Sequence, residues 1–262
     1  MRACAAPVPY LEIDTRVASD GRIFVYHNPR GRSHLTARPY FAQTDGDAIR
    51  GVRYASGESL MELEECLEIF ARRADPRQRL CIDMKDFGFE REHLELVDRA
   101  GLQQSTCWMS WVPQSLHRLR ELGATGPLIL AHCNLSRLRA VGSVLDSVLG
   151  RSTFRFSRIV LRGAEDPNPP PRPLSHGFQH GLLCARLPDS VERLLASTGG
   201  GVCVHRSLVG RPIMRYCRSA GLQLWVFRVS SLAGYLRYAR HDAVNVVFCD
   251  NAPAVLRATG VS

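Results

Sequence analysis

"ESLMELEECLEIFARRADPRQRLCIDMK", residues 58–85, carries two periodicities in succession. In its first half Leu60, Leu63, Leu67 and Phe70 recur at steps of three and four, the spacing of one face of an α-helix. Ser59, followed three residues later by Glu62, predicts a capping box at the helix start. In the second half, "RLCIDMK" (79–85), side chains alternate: Leu80, Ile82 and Met84 share one strand face, and Asp83 and Lys85 lie on the opposite one. A helix followed directly by such a strand is the repeating piece of a parallel α/β fold.

The same strand–helix rhythm extends in both directions. Strands are predicted at "YLEIDTRV" (10–17), "RIFVYH" (22–27), "RLCIDMK" (79–85), "STCWMSW" (105–111), "PLILAHC" (127–133), "GVCVHR" (201–206), "LQLWVFRV" (222–229) and "VNVVFCD" (244–250). Strand, helix, strand repeated over this length predicts an α/β fold whose leading candidate is a (β/α)8 barrel, with residues 1–262 as a single domain. The rhythm breaks at 150–200, where "GAEDPNPPPRPLSHG" cannot be a helix interior or a central strand, so this segment reads as an insertion.

Composition excludes several classes. Hydrophobic content of 45% with 23% charged residues is that of a globular chain, and no apolar run reaches the ~20 residues of a membrane span. The start, "MRACAAPVPYLEID", lacks the apolar core of a secretory signal. The nine cysteines lie singly, without a C-x-x-C pair, and read as buried thiols in a reduced compartment, which predicts a cytoplasmic location. A net charge of +9 suits an acidic partner, but the arginines are scattered and no nucleic-acid reading element is present. A membrane surface is compatible with that charge without being indicated by it. The oligomeric state is not encoded in any visible pattern.

Alternation concentrates the chemistry. Along "LEIDTRV", Leu11, Ile13 and Val17 face one way and Glu12 and Asp14 the other; Asp83 and Lys85 share the polar face of their own strand. With the apolar faces against surrounding helices, all four polar groups turn to one side. Three carboxylates there repel one another unless a cation sits among them, and oxygen-only ligands favour Mg²⁺ or Ca²⁺. Ordinary strand-end charges reaching water are the competing reading. Lys85 is also the only lysine of the chain.

The order "YLEIDTRVASDGRIFVYHNP", "SGESLMELEECLEIF", "LCIDMK", and later "YCRSAGLQLWVFRV" and "VNVVFCDNAPAVL", strongly resembles the glycerophosphodiester phosphodiesterase family, over roughly residues 9–135 and 201–257. The resemblance implies a barrel and a metal-dependent phosphodiesterase of lipid metabolism, which hydrolyses glycerophosphodiesters to glycerol 3-phosphate and an alcohol. It implies one divalent cation on Glu12, Asp14 and Asp83, with aspartate at 83 where the family usually has glutamate. It further implies His27 as an acid–base catalyst, Lys85 as the cation that neutralises the phosphate, and Trp225 as an aromatic lining the substrate cleft. For Trp225, a place in the core is the alternative.

The chain departs from the family at two further points. Only eleven residues precede Glu12, so the strand bearing the first histidine and its arginine is missing; Asn28 replaces the aspartate that normally follows the second histidine. His132 and His205 are the candidates to stand in for the missing imidazole. The expected substrate is a small phosphodiester. The alternatives are a phospholipase acting on lipid head groups and a degenerate protein that binds a phosphodiester without cutting it.

Overall fold

The computed structural model describes residues 8–131, 134–135, 183–184 and 187–259. The chain is mixed α/β and forms two compact units. The first contains residues 8–108 and 118–126, and the second residues 109–117, 127–131 and 187–259, together with the two short described stretches. No helix among the described residues is long and apolar enough to cross a membrane.

The first unit is built on β1 (Tyr10–Val17), β2 (Ile23–Val25), β3 (Arg79–Met84) and the first three residues of β4 (Thr106–Ser110), whose last two fall in the second unit; the strand order is β4-β3-β1-β2. β1 runs parallel to β3 over six residue pairs, including Asp14 against Asp83. β2 instead returns antiparallel to β1, because the Ala18–Arg22 turn is only long enough for a hairpin; Gly21, at φ 89°, supplies its left-handed residue. The predicted strand at 22–27 is therefore a short hairpin arm and not a barrel strand.

Helices α1 (Gly46–Arg50), α2 (Leu63–Arg73) and α3 (Glu90–Arg99) belong to the same unit. α2 buries Leu63, Leu67, Ile69 and Phe70. Each such side chain contributes about 1.5–3 kcal/mol when fully removed from water. The expected capping box does not form. Residues just before α2 are extended and bridge to β2 at Phe24 and Glu62, so Glu62 becomes the cap residue without a side-chain cap bond, while the Ser59 hydroxyl accepts from Arg53. A satellite core of Phe24, Tyr26, Leu35, Phe41, Ile49, Val52 and Leu60 holds the long loop after β2.

The second unit carries β5 (Leu128–Ala131), the short pair β6 (Asn134–Leu135) with β7 (Leu183–Cys184), then β8 (Gly201–His205), β9 (Gln223–Val229) and β10 (Val246–Cys249). Parallel pairs join β5 to β8, β8 to β9 and β9 to β10. In this run, as from β1 through β3 to β4, sheet neighbours follow chain order. That is the singly wound order of a barrel, without the reversal that marks a doubly wound sheet. Gly201 is required here: a Cβ would stand 2.0 Å from the Gln223 carbonyl oxygen.

Helix α4 (Pro113–Glu121) falls at the division between the units, and α5 (Asp189–Ser197), α6 (Arg211–Ser219), α7 (Leu232–Ala239) and α8 (Ala252–Thr259) complete the second. Most of the predicted 150–200 insertion lies outside the described residues, but its last part is regular helix α5. Within β9, Arg228 has φ 66°, and the ladder to β10 shifts register there between Val247 and Cys249. All four residues of β10 are half-buried.

Candidate metal and phosphate site

The β1–β3 register explains the site. Parallel pairing of Asp14 with Asp83 sets two carboxylates side by side, alternation adds Glu12 two residues earlier on β1, and Lys85 follows two residues after Asp83. One carboxylate oxygen from each of Glu12, Asp14 and Asp83 lies within 4.8 Å of the others. The Lys85 ammonium donates to Asp83 Oδ2 and stands 2.7 Å from Asp14 Oδ1. The four groups predicted from alternation are thus brought together. Lys85 and Asp83 are buried, Asp14 is partly open, and Glu12 is exposed.

The charges are unequal in their settings. Burial works against the Lys85 ammonium, but Asp83, Asp14 and Glu12 push its pKa up to about 12, so it is a permanent cation. Despite burial, the adjacent Lys85 and His27 hold Asp14 below the usual carboxylate range. Asp83 is raised, because burial outweighs the help of Lys85. Glu12 is raised well above its ordinary value, by the protein crowded around it and by repulsion from Asp14 and Asp83. One lysine does not satisfy three carboxylates.

These residues fit a hard divalent cation. The donor set is oxygen only, its reach is short, and Asp83 Oδ1 is buried without a hydrogen-bond partner among the described residues. The shorter aspartate at position 83 does not prevent convergence, because it lies in register with Asp14.

His27 follows β2. Its backbone is set by its neighbour Tyr26, whose amide donates to the Asp14 carbonyl (2.9 Å) and whose ring stacks on Phe41 at 5.2 Å. The His27 ring is exposed, with Nδ1 3.3 Å from Asn28 Oδ1. An amide oxygen there accepts the Nδ1 proton and leaves Nε2 free as a base, without the charge that an aspartate would add. Desolvation by the protein around the ring lowers the His27 pKa, against the opposing pull of Asp14.

The remaining candidates lie in the second unit or outside the described residues. Trp225 lies in the second unit, 0% exposed, its indole donating to Gln223 Oε1 at 2.7 Å and meeting Phe248 edge-on. No face of that ring is open to a ligand, so it packs as a core residue, the alternative left by the sequence. His205, also in the second unit, is half-buried with its ring edge-on to Phe227 at 5.5 Å. His132 lies outside the described residues.

Sequence reasoning missed the layer beneath the site. Arg16 and Asp86 form a buried ion pair at 2.9 Å. His93 of α3 is buried between the Phe89 carbonyl (2.7 Å from Nδ1) and the Thr15 hydroxyl (2.9 Å from Nε2), and burial lowers its pKa to about 4. The signal was present, since Arg16 shares the alternating face of Glu12 and Asp14. A lone arginine on a strand, however, reads as a solvated charge.

No family model and no curated protein matches the sequence. Solved structures do match. A glycerophosphodiester phosphodiesterase from Agrobacterium tumefaciens aligns with TM-score 0.61 and 15% identity over 98% of this chain and 90% of its own. A phosphodiesterase from Oleispira antarctica, in complex with the product sn-glycerol-3-phosphate, aligns with TM-score 0.66 and 13% identity over 99% and 88%. A glycerophosphodiester phosphodiesterase from Parabacteroides distasonis aligns with TM-score 0.59 and 14% identity over 95% and 84%. The chain therefore has the fold of the glycerophosphodiester phosphodiesterases.

Proposed function

We propose that the protein is a divalent-metal-dependent phosphodiesterase that hydrolyses small glycerophosphodiesters to glycerol 3-phosphate and an alcohol, as a cytoplasmic step of lipid metabolism. The observation that carries this reading is the convergence of Glu12, Asp14 and Asp83 within 4.8 Å beside the buried Lys85. The fold it shares with phosphodiesterases supports the same class.

Glu12, Asp14 and Asp83 would hold Mg²⁺ or Ca²⁺, which when bound polarises a phosphoryl oxygen. Lys85 places a fixed positive charge beside the phosphate, where negative charge grows in the transition state. Its compact ammonium fits between two carboxylates, whereas a planar guanidinium does not. His27, neutral at pH 7 because its pKa is lowered, takes the proton from the hydroxyl that attacks phosphorus, and the imidazolium returns it to the alcohol as the phosphorus–oxygen bond to that alcohol breaks; the hydroxyl belongs either to a water or to the substrate itself, in which case a water then opens the cyclic phosphate to glycerol 3-phosphate.

The test is release of glycerol 3-phosphate from glycerophosphocholine with Mg²⁺ or Ca²⁺, with and without chelator. Turnover that needs the cation and is lost in Asp14→Asn supports the reading. Lys85→Arg should keep the charge and still lose activity. A folded wild-type chain without chelator-sensitive turnover overturns it. Binding of the diester without turnover would instead identify a non-catalytic binding protein.

A further inference from the structure

Arg16 is fully buried on β1, two residues beyond Asp14 on the same face. Its Nε donates to the main-chain carbonyl of His27 at 2.9 Å, and its Nη1 to the main-chain carbonyl of Lys85 at 3.2 Å. Nη1 also meets Asp86 Oδ1 at 2.9 Å, while Asp86 Oδ2 accepts from the Val17 amide at 2.9 Å. One guanidinium thus ties together the two residues that the mechanism needs, and a buried carboxylate fixed to β1 neutralises it.

The placement matters because both tethered residues sit past the regular part of a strand. His27 lies two residues after the end of β2, and Lys85 directly after the end of β3. Beyond those points the sheet ladder constrains the chain less. A buried ion pair is not needed for stability, since apolar side chains of similar volume often serve as well. Arg16 Nη2 is moreover buried without a hydrogen-bond partner among the described residues, which a group selected for stability alone would avoid. What arginine alone offers is a rigid fork that donates to several acceptors at fixed angles.

We propose that Arg16 is a positioning residue, which sets the separation of the His27 imidazole and the Lys85 ammonium by holding the carbonyl of each. Its hydrogen bonds to both residues are to their main-chain carbonyls. The inference rests on the functional reading above for the importance of that separation, but the tether itself is a separate structural claim.

The full-length Arg16→Lys variant keeps the charge beside Asp86 and loses the fork. Folding is checked by circular dichroism and thermal melting. The His27 imidazole is then followed by its ¹H–¹³C correlation, assigned through its loss in His27→Gln. The expected result is a folded variant with a displaced His27 cross-peak, and kcat for glycerophosphocholine reduced about 100-fold with KM nearly unchanged, the cost of misplacing a catalytic group by about 1 Å. A folded variant with an unmoved cross-peak, or with wild-type kcat, overturns the proposal. Where Arg16→Lys does not fold, Asp86→Asn, which leaves Arg16 present but loosely held, is read the same way. If wild-type protein shows no turnover, the functional reading fails, and the cross-peak still decides whether Arg16 positions His27.

Discussion

Replacing Lys85 with methionine keeps much of the side-chain volume and removes the charge that joins Asp14 to Asp83. The raised pKa gives one measure of the interaction. From 10.5 to about 12 is roughly 1.5 units, or about 2 kcal/mol at 1.36 kcal/mol per unit. Removing one partner of a buried pair costs about 3–5 kcal/mol, and the partial exposure of Asp14 lowers that figure, so a loss of about 2–3 kcal/mol at pH 7.5 is expected. The sign with pH follows from the carboxylates left behind. Without the ammonium, Asp83 and Asp14 repel, and protonation relieves them, so the deficit should shrink at pH 5. In the wild type, the stabilisation by Lys85 is complete below pH 10.5 and disappears as pH rises from 10.5 to about 12. Urea unfolding of wild type and Lys85→Met at both pH values measures the deficit. A loss below about 1 kcal/mol at pH 7.5, within the ordinary range of point mutants, or one that does not diminish at pH 5, would refute the reasoning.

Other perturbations probe the neighbouring groups. His93, with a pKa lowered by burial to about 4, favours the folded state fully above pH 6.5 and progressively less as pH falls towards 4, a change of about 3 kcal/mol; unfolding across that range should show a flatter acid arm in His93→Gln. Glu12 has its pKa raised, so its ionised form disfavours folding at neutral pH. Glu12→Gln should therefore melt higher than wild type at pH 7.5, the difference vanishing towards pH 4.5, while hydrolysis is lost. Trp225→Phe should cost about 1–3 kcal/mol in urea unfolding and leave KM unchanged, as befits a core residue; a raised KM at wild-type stability would return the ring to the substrate cleft.

Period-two alternation was enough to place Glu12, Asp14, Asp83 and Lys85 on one side, because both strands are parallel and in register. The same rule could not say that Lys85 lies between the carboxylates, since side-chain reach is not a periodic property. Nor could it show that Arg16 is buried. Burial of a charge depends on partners such as Asp86, seventy residues away in sequence, and on the backbone carbonyl of His27 just past a hairpin arm. The capping box failed for a similar reason: Ser59 and Glu62 have suitable chemistry, but pairing with β2 holds the chain extended past them. Asn28 looked like a lost carboxylate, and its oxygen still orients His27.

The bulge at Arg228 has a consequence for the order in which the second unit comes apart. β8 and β9 pair without interruption from Gly201 to His205, whereas the ladder from β9 to β10 loses register beyond Val247, and every side chain of β10 remains partly open. Cooperative openings begin where buried contacts are fewest. In hydrogen–deuterium exchange the amides of Val246–Cys249 should therefore label well before those of Gly201–His205. The C-terminal strand and α8 would then behave as a detachable foldon, one that can peel away and return while the β8–β9 ladder stays closed.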